Sequence, residues 1–175
     1  MHDDAALTVA RWQFATTWRL AQELHLPRLT DAMCLWQPAA DSWTVRPDAD
    51  GRWRADWFEP EPPASPPPSI AWLTWHIFWW WSDALSVLRG GQPLNRSEVT
   101  WSGSAAAAVA DLRSLARAWD RQLGGLGYEE LTRPVAFPWA EPRPVLHLVS
   151  WVNLELMKNV AEVGTVADFY SSREH

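Results

Sequence analysis

Four polar side chains in two otherwise apolar segments are the ones whose types and spacing could support chemistry. Glu155, Asn159 and Glu162 stand at positions i, i+4 and i+7, so in a helix they project from one face. His76 stands in the middle of a separate apolar run. Imidazole and carboxylate groups are competent ligands for a divalent metal ion, whereas the neutral amide of Asn159 is a poor ligand for zinc or nickel.

Three interpretations of these residues stay open, and none of them assigns a catalytic residue. In the first, His76, Glu155 and Glu162 bind a divalent ion with an open position that polarises a bound water or thiol. In the second there is no metal, and a pocket binds a small molecule between aromatic walls. In the third, the polar side chains form a hydrogen-bonded network that only stabilises the fold. A buried carboxylate needs a partner, which a metal, a cationic His76, Lys158 or an arginine could supply.

The neighbours of His76 on the same segment are further candidates. Asp83 follows it by seven residues and shares its face, so its carboxylate could orient the imidazole; an exposed Asp near the helix end is the ordinary alternative. The chain has 15 tryptophans, and Trp79–Trp81 are consecutive. Three adjacent side chains cannot all face one core, so at least one should be exposed or line a cavity or an interface. We therefore place Asp83, Trp79, Trp80 and Lys158 around the site.

Four helices are predicted to position these residues. Apolar side chains at spacings of three and four predict helices at about 5–24, 69–88, 104–123 and 145–170. Ser69 can cap the second helix, Ser102 or Ser104 the third, and Pro144 lies near the first position of the fourth. No segment alternates as a strand does. The Pro-rich stretch 48–68 predicts a long surface loop, which its tryptophans should partly fold back over the helices.

The expected fold is therefore an all-α four-helix bundle with long crossover loops, in one domain over residues 1–175. The net charge of −6 and the scattered basic residues disfavour nucleic-acid binding. Cys34 is the only cysteine, so an internal disulfide or a cysteine-based zinc cluster is excluded, and we expect it to be a packing residue. The apolar run 70–88 contains too many polar residues for a membrane span, and no secretory signal is evident. A cytoplasmic protein is expected.

Four segments, in order and spacing, resemble the DinB-like metalloenzyme superfamily. SIAWLTWH at 69–76 resembles the start of the family's second helix, which ends in its first metal-binding histidine, and WQPAADSWTV resembles its Trp-Pro loop. DLRSLARAWDRQLGGLGYEELTRPV is similar to the third helix and the following turn, and NLELMKNVAEVG to the metal-binding fourth helix. The resemblance covers nearly the whole chain.

The resemblance implies a divalent metal, such as nickel or zinc, held by one histidine of the second helix and two histidines of the last. His76 matches the first position, Glu155 and Asn159 stand at the other two, and Glu162 stands where relatives often have Gln, Glu or another His. The implied function is a metal-dependent small-molecule enzyme of the transferase or hydrolase type that uses a low-molecular-weight thiol. Because the ligand set departs from the family pattern, the alternative is a small-molecule-binding or structural bundle without metal or cofactor. Relatives often dimerise, and the consecutive tryptophans are a candidate interface.

Overall fold

Six α-helices and two short antiparallel hairpins form the described part of the chain, residues 5–59 and 65–173, in a computed structural model. The helices are α1 (Ala5–Leu20), α2 (Asp31–Leu35), α3 (Ile70–Leu88), α4 (Ala105–Gly124), α5 (Tyr128–Thr132) and α6 (Val145–Ser172). The strands are β1 (Val45–Pro47), β2 (Trp53–Ala55), β3 (Pro134–Val135) and β4 (Arg143–Pro144). The all-α fold predicted from the sequence is confirmed, since the strands are only two or three residues long.

Three of the four long helices, α3, α4 and α6, begin at or next to the residues that the sequence predicts to start them. The Ser69 hydroxyl accepts a hydrogen bond from the backbone N–H of Trp72 at 3.2 Å, which fixes the start of α3. Ser104, rather than Ser102, caps α4, because its hydroxyl accepts from the N–H of Ala107 at 3.2 Å. Pro144 stands one position earlier than expected, at the N-cap of α6.

Helix α3 is the centre of the bundle. It packs against α4 and α6, while α1 packs against α6. Fourteen of its 19 residues are buried, so it is covered on nearly all sides. Trp81 of α3 and Trp119 of α4 are both 0 % exposed and fill the space between these helices and α1. In the described part of the chain, no helix is both long and apolar enough to cross a membrane.

The predicted loops contain more structure than the sequence indicated. The stretch 48–68 was expected to lack strands, but it contains β2. This strand pairs with β1 in the register Val45↔Ala55. The Asp48 carboxylate closes the turn between them by accepting from the N–H of Arg52 at 2.9 Å. Helix α5 and the pair of β3 with β4 likewise lie between the predicted third and fourth helices, where no further element was predicted. These elements are too short for their sequences to show a periodic pattern of apolar residues. Residues 60–64 of the Pro-rich stretch lie outside the described residues.

Helix α1 continues into a π-helical turn, Ala21–His25, which lies against α6 at Gly164. A methyl group added at Gly164 would stand 2.4 Å from Cε1 of His25, well inside contact distance. We expect Gly164→Ala to lower the free energy of unfolding by about 1–2 kcal/mol, because the imidazole has to shift within a packed interface. Urea denaturation measures this difference.

Gly124→Ala is the matched control for that substitution. Its added methyl group would meet only Arg11, at 4.0 Å, so stability should stay the same or rise by up to about 1 kcal/mol. Equal stabilities of the two variants would contradict the close approach of α1 and α6.

Candidate functional site

One cavity of about 660 Å³ brings together all the side chains that the sequence singled out for chemistry. It lies between α3 and α6 and is covered by the segments that precede them. The predicted residues that line it are His76, Trp79, Trp80, Asp83, Glu155, Lys158, Asn159 and Glu162. The two halves of the predicted site, one on each helix, therefore face a common space.

Asn159 connects the two helices through its side-chain amide. It is 2 % exposed, and its Oδ1 accepts a hydrogen bond from Nε1 of Trp80 at 3.1 Å. Because an indole nitrogen can only donate, this contact fixes which end of the amide is the oxygen. The Nδ2 group then donates to Oε2 of Glu162 at 2.7 Å. Both ends of the amide are thus engaged.

Glu155 has its own positive partner. Its Oε2 lies 2.6 Å from Nζ of Lys158, one helical turn further along α6. The Glu155 side chain is 22 % exposed and that of Lys158 is 53 % exposed. The ammonium group therefore supplies, from the edge of the pocket, the charge that a half-buried carboxylate requires.

His76 is held as a neutral imidazole inside aromatic surroundings. Its ring stacks on the indole of Trp72 with centroids 4.7 Å apart and an interplanar angle of 19°. Burial and, to a smaller extent, the nearby charge of Lys158 lower the pKa of His76 to about 4, although a hydrogen bond with Asn159 opposes the shift. The Nδ1 atom is buried and has no hydrogen-bond partner among the described residues.

This shift predicts that acid destabilises the fold through His76. The ordinary pKa of 6.5 applies to the unfolded chain, whereas the folded chain protonates His76 only near 4. Between these values the unfolded state binds more protons, so stability is lost as the pH falls. From pH 7 to pH 5 this group should cost about 2 kcal/mol.

Urea unfolding of the native chain and of His76→Gln at both pH values measures this effect. Asp83, Glu155, Lys158 and Glu162 face the same cavity but are present in both proteins, so their titration cancels in the comparison. The variant should show the flatter pH dependence. Parallel curves would contradict a neutral, buried His76.

The donors do not fit a resident divalent ion in this arrangement. Within residues 5–59 and 65–173, no three His, Cys, Asp or Glu side chains lie in positions that could hold a metal. Of the predicted ligands, Glu155 is paired with Lys158, and Glu162 accepts from an amide whose oxygen is already used by Trp80. The ammonium of Lys158 stands beside the carboxylate that would have to bind the ion, and like charges repel.

Asp83 plays a different role from either one considered for it. It is 2 % exposed, so the exposed alternative is wrong. Its Oδ1 accepts from the backbone N–H of Leu94 at 2.6 Å, which ties α3 to the loop that follows it rather than orienting His76. Burial raises the pKa of this carboxyl group. Its structural hydrogen bond could not be read from the sequence, because Leu94 lies in a segment without periodicity.

The consecutive tryptophans point in different directions, as their spacing requires. Trp79 and Trp80 line the cavity, whereas Trp81 is 0 % exposed in the core. These three side chains therefore line the cavity or pack in the core. They do not form the exposed patch that was expected to be an interface. The homodimer stays a prediction. Cys34 is also 0 % exposed, and burial raises its pKa to about 12, as suits a packing residue.

Most of the residues that form the cavity wall were not predicted from the sequence. Trp57 stacks on Trp72 with centroids 6.3 Å apart, and Trp151 makes edge contacts with Trp80 and Phe137 at 5.5 and 5.7 Å. The unpredicted lining residues are Trp43, Trp57, Ser65, Pro66, Pro67, Pro68, Trp72, Leu73, Phe137, Pro138 and Trp151. The high tryptophan content was the available sign of such a wall.

Comparison with known protein families gives a match over most of the chain. A family model described as the DinB superfamily matches residues 13–163, which is most of the chain and includes both helices that face the cavity. A comparison with curated proteins found no significant match.

Proposed function

This chain belongs to the DinB superfamily, and we propose that it is a member whose pocket binds a small organic molecule without a resident metal ion. The observation that carries the proposal is the cavity of about 660 Å³ in which Lys158 pairs with Glu155. Its volume falls in the range of pockets that bind cofactors and drug-sized ligands, about 300–1,000 Å³. A protein side chain thus provides positive charge where the family resemblance implies a metal.

The distribution of side chains in the pocket supports a ligand with an apolar body and one polar end. Indole rings form the wall, where they offer large, rigid surfaces for stacking at a small cost in conformational entropy. Four charged or amide groups lie on α6, at Glu155, Lys158, Asn159 and Glu162, and the Asp83 carboxyl group lies on α3. A bound molecule would be oriented by these groups and desolvated by the rings.

The proposal is tested on chelator-treated protein with a fragment panel that includes benzyl alcohol, benzoate and benzyltrimethylammonium. Binding is followed by tryptophan fluorescence and by isothermal titration calorimetry. We expect fragments to bind without added metal, and Trp151→Ala to weaken binding about tenfold by removing one wall.

Trp12→Ala is the matched control, because Trp12 is 65 % exposed and does not line the cavity. It should leave fragment affinity unchanged. Binding that disappears on chelation and returns with nickel or zinc would overturn the metal-free proposal. So would equal affinities of native protein and Trp151→Ala.

A metal-dependent, thiol-using enzyme is the second candidate, and His76 at the family's first ligand position favours it. The discriminating measurement is elemental analysis of the purified protein, followed by titration with nickel and zinc. Tighter binding by the native chain than by His76→Ala, together with thiol transfer to an electrophile panel, would support the enzyme. Equal metal binding and no transfer would support the binding protein.

A further inference from the structure

We infer that the pocket selects an organic cation, an amine or quaternary ammonium group carried on an apolar body. This inference rests on the proposed function and adds the chemical class of the ligand. It is drawn from the balance of charges in the cavity and from the way the aromatic wall is built.

The first argument is a carboxylate without a counter-charge. Glu162 is half-buried in the cavity, and within residues 5–59 and 65–173 no Lys, Arg or His forms an ion pair with it. Its hydrogen-bond donor, the Asn159 amide, is neutral. The charge of Glu155 is matched by that of Lys158, and the imidazole of His76 is uncharged at neutral pH. Asp83, the other carboxyl group of the described lining, also has no ion pair. Nothing in that lining therefore offsets the charge of Glu162, and a positive ligand would balance it.

The second argument is the electrostatics of the wall. The face of an indole ring is negative, so a cation is attracted to it, more strongly where water is excluded. Two of the wall residues already hold a cation. The guanidinium carbon of Arg96 lies 4.3 Å from the ring centroid of Trp57 and 5.6 Å from that of Trp79. The indoles of Trp57, Trp72, Trp79 and Trp80 all line the cavity, so a bound cation would lie among several aromatic groups.

The third argument concerns the classes of ligand that the site disfavours. Lys158 is the only Lys or Arg among the described lining residues, and its ammonium is already bound by Glu155, so an anionic ligand would meet Glu162 without compensation. A bare inorganic cation would need three converging donors, which the described residues do not supply. An organic cation needs only one carboxylate and aromatic faces.

Two pairs of probes test the effect of charge. Choline and 3,3-dimethylbutan-1-ol are isosteric and differ by the positive charge, whereas benzyltrimethylammonium and benzyl alcohol share an aryl group and differ in both charge and size. Calorimetry and tryptophan fluorescence on the full chain at low ionic strength should show each cation binding at least about tenfold more tightly than its neutral counterpart. Added salt should reduce that ratio.

The substitution Glu162→Gln tests the carboxylate itself. A Gln oxygen can still accept the hydrogen bond from Asn159, so the fold should be kept, and circular dichroism with thermal unfolding checks this. We expect the preference for the cations to fall about tenfold, with the affinity of the neutral probes unchanged. Glu129→Gln is the matched control, since Glu129 is an exposed residue that does not line the cavity, and it should keep the preference.

The outcomes separate this inference from the function on which it rests. Neutral probes that bind as tightly as the cations, or benzoate that binds more tightly, would overturn the cation preference and leave a small-molecule pocket. No binding of any probe or fragment would overturn both. A preference that survives Glu162→Gln would show that this carboxylate does not select the ligand, and the inference would fail.

Discussion

The double variant Glu155→His, Asn159→His is expected to bind nickel or zinc on the order of a thousandfold more tightly than the native chain. The two substitutions place imidazoles one turn apart on α6, on the wall that faces His76 across the cavity. They also remove the carboxylate that holds Lys158 and replace a poor amide ligand by a good nitrogen ligand. Each change acts on one of the reasons why a metal does not fit the native arrangement.

Metal titration followed by calorimetry, with competition by a chromogenic chelator, measures the gain. Adding His76→Ala to the double variant should remove most of it, because the third imidazole is lost and a pair on one helix binds more weakly. A native chain that binds nickel as tightly as the double variant would show that the described donors already suffice. A gain that survives the loss of His76 would show that α3 and α6 do not share one site.

Truncation of Trp81 to alanine is expected to lower the free energy of unfolding by about 3–5 kcal/mol. Trp81 is 0 % exposed, and its ring makes edge contacts with Phe14 and Trp18 of α1 at centroid distances of 6.0 and 5.7 Å. Removal of the indole would leave a cavity at the junction of α1 and α3 that the rigid helices cannot close.

Guanidinium denaturation followed by far-ultraviolet circular dichroism measures this loss. Trp12→Ala is the control of equal chemistry, because Trp12 lies on the exposed side of α1 at 65 % exposure, and its effect should stay within about 0.5 kcal/mol. Similar losses in the two variants would contradict the assignment of Trp81 to the core.

The long helices could be predicted because local chemistry determines their ends. Ser69 and Ser104 cap α3 and α4 through their own hydroxyl groups, so the relevant interaction is contained within three residues of sequence. The short hairpins could not be predicted in this way. Pairing of Val45 with Ala55 depends on contacts between segments, and strands of two or three residues are too short for alternation to be recognised.

The polar face of the site could be predicted, but its internal pairing could not. Helical spacing places Glu155, Asn159 and Glu162 on one side of α6 whatever their partners are. The choice of Lys158 as the partner of Glu155 depends on which side chains reach the same edge of the pocket. The neutral state of His76 depends on burial by Trp72 of its own helix and by Trp57, and the contact with Trp57 joins distant parts of the chain that no local pattern connects.

The origin of the cavity wall has a consequence for how this protein could diversify. The charged groups come from α3 and α6, whose positions are fixed by the core, whereas Trp43, Trp57 and Phe137 come from connecting segments. Connecting segments tolerate changes of length and sequence much better than packed helices do. Exchange of these segments between relatives would therefore alter ligand shape selectivity while the charge pattern is retained, which makes them the natural positions for combinatorial libraries.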